Sequence, residues 1–206
     1  VLLDGKRLPV DKNTFTCKKG RKILRFDFAW IAIHGTPGEN GQMQGYLDMM
    51  QIPYSSCNLL VSALTFNKHL CKEYLQNSGV VMAKSVLVKQ GDTIDCKSIV
   101  NNLKLPVFVK PNTSGSSFGV SKVKQAEELP AAIENAFIED KEVIIESFIK
   151  GTEVSCGVFK SKSKSYVLPV TEIVSPNEFF DYHAKYFSKE TQEITPARIS
   201  DEITHK

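Results

Sequence analysis

With 42% hydrophobic and 24% charged residues over 206 positions, the chain has the composition of a globular protein and the length for one large domain or two small ones, which excludes fibrous and disordered classes. The 26 basic and 23 acidic residues leave a net charge of +3 and are interleaved, without the basic stripe that nucleic-acid binding calls for. The five cysteines, Cys17, Cys57, Cys71, Cys96 and Cys156, are widely spaced with no CxxC, which argues against a disulfide framework and a structural zinc site.

Residues 1–22 are polar and turn-rich, and Asp4-Gly5 is a hairpin candidate between short apolar pieces, so loop and edge structure is expected there. Residues 26–33, FDFAWIAI, are almost wholly apolar and β-prone, the pattern of a strand covered on both faces in a parallel sheet; it breaks at His34-Gly35. After a glycine-rich turn, Met43, Tyr46, Leu47 and Met50 fall at helical spacing, and Ile52-Pro53-Tyr54 follows as a short strand, which predicts a βαβ unit. A second helical pattern over 58–78 is interrupted near Asn67-Lys68 and closed by Gly79, with a domain boundary placed near Ser62. Beyond it, strands at 84–88 and 106–110 flank a polar helix over 96–103, and the strand VSKV follows a small-residue loop. A helix over 127–137, a strand over 142–148 and antiparallel strands over 152–159 and 166–174 complete an α+β layout, with the KSKSK run at 160–164 as a solvated hairpin tip.

No apolar run approaches the roughly 18 residues that span a bilayer, and no charged head with an apolar core opens the chain, so no membrane partner is expected and the chain reads as cytoplasmic. Val1 opens without an initiator methionine and residues 204–206 stop within a helix-like segment, so both ends read as cuts.

The segment richest in chemistry is VFVKPNTSGSSFGVSKV over 107–123. A charged Lys110 at the end of a buried strand needs an anion. Ser114, Gly115, Ser116, Ser117 and Gly119 can bring backbone N–H groups to phosphate oxygens, because glycine admits the positive φ angles of an anion-binding nest. The other reading is a hairpin turn beside a surface lysine. The lysine precedes the glycines, so this is not a Walker loop. A second element, IIESFIKGTEVS, carries Glu146 and Glu153 around Phe148 and Ile149, a hinge suited to a planar base with two carboxylates for an amino group and ribose hydroxyls. The alternative is two exposed glutamates about a turn.

Taken in order, His34-Gly35 with GENG, Asn67-Lys68, Val109-Lys110-Pro111, GSSFGVSKV, Glu146 with Gly151-Thr152-Glu153, and Asp181-Tyr182-His183-Ala184-Lys185-Tyr186 resemble the D-alanine:D-alanine ligases of the ATP-grasp superfamily along nearly the whole chain. The resemblance implies part of a Rossmann-like N-terminal domain over 1–62, an ATP-grasp central domain over 63–145 and the start of its C-terminal domain over 146–206. It implies that Lys68 and Lys110 bind the phosphates of ATP, that Ser114, Gly115, Ser116, Ser117 and Gly119 close over them, that Lys185 also binds the cofactor, and that Glu146, Phe148, Ile149 and Glu153 hold adenine and ribose. Ser116 and Tyr186 match the serine and tyrosine that link the phosphate-side loop to the substrate loop, and His34 matches a histidine near the substrate, although a lone histidine after a strand also reads as structural. Glu39 in GENG is as readily a helix-start carboxylate. His183 stands where the family commonly has an acidic or amide residue, and Phe148 where it has a tryptophan or similar bulky residue.

The implied reaction phosphorylates one D-alanine and joins it to a second for peptidoglycan synthesis, with ATP, magnesium (or manganese in its place) and a homodimeric assembly. The magnesium ligands are expected outside this chain, so the 206 residues alone are expected to be inactive. Two alternatives stand beside this reading: an ATP-grasp ligase for other substrates, and a non-catalytic nucleotide-binding module.

Overall fold

The computed structural model describes residues 2–175 and 191–205, divided into two compact units, Val1–Val80 and Val81–Lys206. In the first unit, β1 (Leu2–Leu3) and β2 (Lys6–Arg7) form an antiparallel hairpin whose turn residues Asp4 and Gly5 have φ of 49° and 74°. Two successive left-handed residues are what a tight two-residue hairpin requires, and an Asp-Gly pair adopts them at low cost. A meander of β3 (Val10–Asp11), β4 (Thr16–Lys19) and β5 (Lys22–Arg25) follows. Phe15 binds the meander to helix α1 (Gln42–Met49), its ring centroid lying 5.4 Å from that of Phe26 and 5.8 Å from that of Tyr46, while the Tyr46 hydroxyl donates to the Lys12 carbonyl at 2.6 Å.

The apolar run over 26–33 does not become the doubly covered strand its composition suggests. Among the described residues its one ladder contact is a parallel bridge between Ala29 and Tyr54, in which the Ala29 N–H donates to the Pro53 carbonyl at 2.9 Å and the Ser55 N–H to the Ala29 carbonyl at 3.1 Å. Trp30 is 79% exposed and Phe28 52%. A buried parallel strand needs a neighbour on each edge and a layer on each face, and the described residues supply one short neighbour. The parallel order of the βαβ unit survives in that single bridge.

Helices α2 (Leu59–Phe66) and α3 (Lys68–Leu75) arise from two asparagines. The Asn58 side chain accepts the Val61 N–H and that of Asn67 the Leu70 N–H, both at 2.9 Å, which satisfies N–H groups that have no partner in a helix's first turn. Asn67 leaves helical geometry at φ −89°, ψ 104°, so the same residue stops α2 and starts α3. Gly41, with φ of 89°, sits where a Cβ would meet the Leu59 carbonyl oxygen at 2.9 Å, so glycine is needed both for the turn into α1 and for the approach of α2.

The second unit is built on a four-stranded antiparallel sheet in the order β6 (Ser85–Lys89), β9 (Glu142–Ser147), β7 (Val107–Pro111), β8 (Ser121–Val123). Pleating sends Val107, Val109, Val123, Val143 and Ile145 to one face, where they pack with Ile99 and Leu103 of α4 (Cys96–Leu103) and Leu129 and Ile133 of α5 (Leu129–Phe137). Helix α4 starts where the Asp95 carboxylate accepts the Ser98 N–H at 3.0 Å, and a 3₁₀ turn over Ala126–Glu128 leads into α5, with Glu128 accepting the N–H groups of Lys124 and Gln125. Each such apolar side chain buried adds about 1.5–3 kcal/mol of favourable transfer, so this layer dominates the unit's stability.

The rest of the unit holds a three-stranded sheet, β10 (Val154–Ser155), β13 (Thr171–Val174), β14 (Gln192–Ile194), and a hairpin of β11 (Val158–Lys160) and β12 (Ser165–Val167) that turns over the lysine-serine run. Helix α6 (Asp201–Thr204) follows. Glu172 on β13 is nearly buried, and its carboxylate accepts two hydrogen bonds from the Arg198 guanidinium, each at 2.9 Å, and a third from the Arg198 backbone N–H at 3.1 Å. The guanidinium, then the backbone N–H, hold this carboxyl below the ordinary range and lift the arginine in return. No described helix is long and apolar enough to cross a membrane.

Two outcomes are expected. Ile145→Ala, at a fully buried position, should lower unfolding stability by about 2–5 kcal/mol in chemical denaturation, with larger losses if the neighbours cannot relax. Because the folded carboxyl of Glu172 is depressed, its contribution is present above the unfolded carboxylate pKa of about 4.3 and is lost as pH falls through the lower folded value. Thermal unfolding followed from pH 7 to pH 2 should therefore show an acid-side loss that is shallower in Glu172→Gln.

Candidate active site

The face of the four-stranded sheet opposite the helices carries polar and aromatic side chains around the fully buried Ile144. Phe108 and Lys110 alternate with the core valines of β7, and the register sets Phe108 opposite Glu146 and Lys110 opposite Ile144. Glu146 is thus the diagonal neighbour of Lys110, and the Lys110 Nζ lies 2.7 Å from Glu146 Oε2, with the two side chains 28% and 14% exposed. A short, partly buried, charge-assisted contact of this kind is stronger than a surface pair, and removing either partner leaves the other charge costly. The anion that Lys110 requires is, in this structure, a carboxylate of the neighbouring strand.

Beyond the end of β9 the chain still leans on the residue before β7, the Phe148 N–H donating to the Pro106 carbonyl at 3.2 Å. This sets the Phe148 ring 6.1 Å from the Phe108 ring at a tilt of 44°, while Lys110 Nζ stands 5.4 Å from the Phe108 centroid. Ile149 is 61% exposed and Glu153 is exposed, its backbone carbonyl accepting the Ile173 N–H at 2.9 Å. Glu146, Phe148, Ile149 and Glu153 thus run from the ion pair into the first strand of the three-stranded sheet. Lys122, on β8 opposite Phe108, places its ammonium 4.5 Å from the Phe148 centroid, a contact that sequence reasoning missed. Alternation carried through VSKV would have found it: Val123 is buried in the core, so Lys122 belongs to the other face.

The small-residue loop between β7 and β8 is tied down at its start. Asn112 is fully buried, its side-chain amide donating to Glu142 Oε2 and its backbone N–H to the Glu142 carbonyl, both at 2.9 Å. Thr113 donates its N–H and hydroxyl to Asp140 Oδ2 at 2.6 and 2.7 Å. The Lys89 ammonium, 2.9 Å from Glu142, is the first cause holding that carboxyl below its usual range, so the loop's anchor stays ionised at neutral pH. Past the anchor, Ser116, Ser117 and Gly119 have φ of 51°, 60° and 66°. Two adjacent serines in the left-handed region store backbone strain, and such residues turn successive N–H groups toward one side. A Cβ on Gly119 would lie 2.8 Å from Pro111 Cγ, so the loop also closes tightly on its own strand. The turn is held by the Phe118 N–H donating to the Gly115 carbonyl at 3.1 Å, with Ser114 one residue before it.

Lys68 and His34 belong to the first unit, whereas Lys110, the serine loop and the Glu146–Glu153 stretch belong to the second. Lys68 is the first residue of α3. The His34 side chain is 81% exposed, with Nδ1 4.0 Å from Glu39 Oε1, while Glu39 Oε2 accepts the Gly35 N–H at 2.5 Å. Glu39 therefore fastens the His34-Gly35 turn to the glycine-rich segment before α1. Lys185 and Tyr186, with the rest of DYHAKY, lie outside the described residues. Among the described residues no three His, Cys, Asp or Glu side chains converge to hold a metal ion.

Comparison with known proteins fits these features. Residues 6–57 match the family model described as D-ala D-ala ligase N-terminus, and residues 75–206 that described as D-ala D-ala ligase C-terminus. The chain is 52% identical over 206 residues to a D-alanine–D-alanine ligase of Phocaeicola vulgatus, covering 100% of this chain and 63% of that protein. It is 54% identical over 204 residues to one of Parabacteroides distasonis, covering 99% and 62%. Among solved structures it resembles a D-Ala:D-Ser ligase from Enterococcus faecalis, with a TM-score of 0.82 and 36% identity over 97% of this chain and 58% of that one. It also resembles a D-alanine–D-alanine ligase from Bacillus anthracis complexed with ATP, with a TM-score of 0.71 and 32% identity over 87% and 55%. The chain spans about 63% of the length of the curated relatives it matches. Matched by both family models and by relatives at this identity, the chain belongs to the D-alanine–D-alanine ligase family.

Proposed function

We propose that the protein carrying this chain uses ATP to join two D-alanines for peptidoglycan precursor synthesis. The observation that carries the reading is the outer sheet face, where Lys110, Glu146 and Phe148 adjoin a strained serine-glycine loop anchored through Asn112. In this reading the carboxylate of the first D-alanine attacks the γ-phosphorus, the bond to the β-γ bridging oxygen breaks, and ADP leaves. The amine of the second D-alanine then attacks the acyl carbon, inorganic phosphate leaves, and the amine loses a proton. Phosphoryl transfer of this kind depends chiefly on positioning and charge neutralisation, a role that the family reading gives to Lys68 and Lys110. The Ser114–Gly119 loop covers the phosphates and keeps water from the acyl phosphate, and the family reading adds Lys185 to the residues that bind the cofactor. Glu146, Phe148, Ile149 and Glu153 receive adenine and ribose, and the family reading gives Ser116, Tyr186 and His34 roles in catalysis. We assign magnesium, or manganese in its place, no ligand among the described residues. A homodimer and a cytoplasmic location belong to the same family reading.

The likeness to a D-Ala:D-Ser ligase supports a second reading in which another amino acid takes the second position; the relatives at 52% and 54% identity favour D-alanine. The test is phosphate release by the full-length protein with D-alanine and D-serine offered separately and together. D-Alanine alone should support turnover. Lys110→Met should raise KM for ATP about tenfold or more, as expected for losing a charge-assisted contact of about 1.5–3 kcal/mol. Release of phosphate that ignores D-alanine would refute the substrate assignment.

A further inference from the structure

Lys122 takes no part in the chemistry proposed for this site, yet its position is specific. It stands opposite Phe108 on the edge strand β8, held in register by the buried Val123 beside it. From there its ammonium lies 4.5 Å from the Phe148 centroid and 6.0 Å from that of Phe108. An ammonium at this distance from an aromatic face is attracted by the ring's quadrupole. Phe148 needs such a restraint: it follows the last residue of β9 and is 37% exposed, so strand pairing fixes its backbone but leaves the ring's direction to side-chain contacts. Phe108 meets one side of that ring at a tilt, and Lys122 covers it from the neighbouring edge strand.

We propose that Lys122 is a positioning residue for the nucleotide base, acting through Phe148. By holding its cation over the ring, Lys122 fixes the Phe148 orientation before ATP arrives, and so presents a preformed wall to the purine. The proposal rests on the assignment of Phe148 to the adenine pocket. A preorganised wall lowers the ordering cost of binding and leaves the phosphoryl step unchanged, so the effect belongs in KM for ATP and not in kcat. The purpose of the lysine is then the cation and its reach, which an arginine preserves and a methionine does not.

The experiment uses the full-length protein and its D-alanine-dependent turnover. K122M should raise KM for ATP about fivefold with kcat within about twofold of the parent, K122R should restore KM to within about twofold, and thermal midpoints should stay together. In an F148L background, K122M should add nothing, because the ring through which the lysine acts is gone. An unchanged KM in K122M overturns the proposal, as does a loss confined to kcat. It is overturned equally if the full K122M effect persists without the Phe148 ring, which would make the lysine a direct ligand of ATP. A parent protein with no D-alanine-dependent ATP turnover refutes the ligase reading instead, so the two failures are separable.

Discussion

Strand β7 has to serve two environments at once, and the pleat makes that possible. Val107 and Val109 are fully buried against α4 and α5, while Phe108 and Lys110, one residue out of phase, face the other way. The hydrophobic layer fixes the register so firmly that a slip by one residue would put both valines in the polar face and the lysine in the core. The position of Lys110 is therefore set by the valines flanking it. Glu146 sits on β9 next to the core residue Ile145, on a face that it shares with the fully buried Ile144.

Polar contacts then refine what packing has set. The Lys110–Glu146 pair, the Asn112–Glu142–Lys89 chain and the Glu172–Arg198 clamp each bridge two segments distant in sequence. In each the carboxylate receives more than one donor or is largely shielded, which separates them from the exposed Lys19–Asp4 pair, whose contribution solvent screening makes small. The loop over 114–119 follows one of these fixed points, Asn112, and leads into β8, which the buried Val123 holds to the core. Strain at Ser116 and Ser117 persists because both ends of the loop are held.

Local signals in the sequence are legible where the structure is local. Asp4-Gly5 marks its hairpin, the interruption near Asn67-Lys68 divides the helical pattern over 58–78, and the polar segment over 96–103 marks α4. The run over 26–33 misleads for the opposite reason, since its β character depends on neighbours across a sheet and, among the described residues, only Tyr54 answers. Lys110 is legible as a cation in need of an anion, but its diagonal partner Glu146 lies 36 residues away and depends on a strand register that composition does not encode. Lys122 escapes notice because a lysine in a short edge strand looks like any solvated charge until its cross-strand aromatic neighbours are known. DYHAKY, read as the substrate loop, falls outside the described residues.

Asn67 serves as the hinge pin between two helices, and this bears on which changes of length α3 can absorb. Because its side chain caps α3 and its backbone ends α2, Lys68 leaves the helix axis in a direction set by one amide. Inserting or deleting a single residue between the cap and Leu75 would swing the following side chains by about 100° around the axis, given 3.6 residues per turn. Substitutions along α3 are absorbed one at a time, whereas an indel there redirects every later side chain together, so this short helix should tolerate drift in composition far better than drift in length.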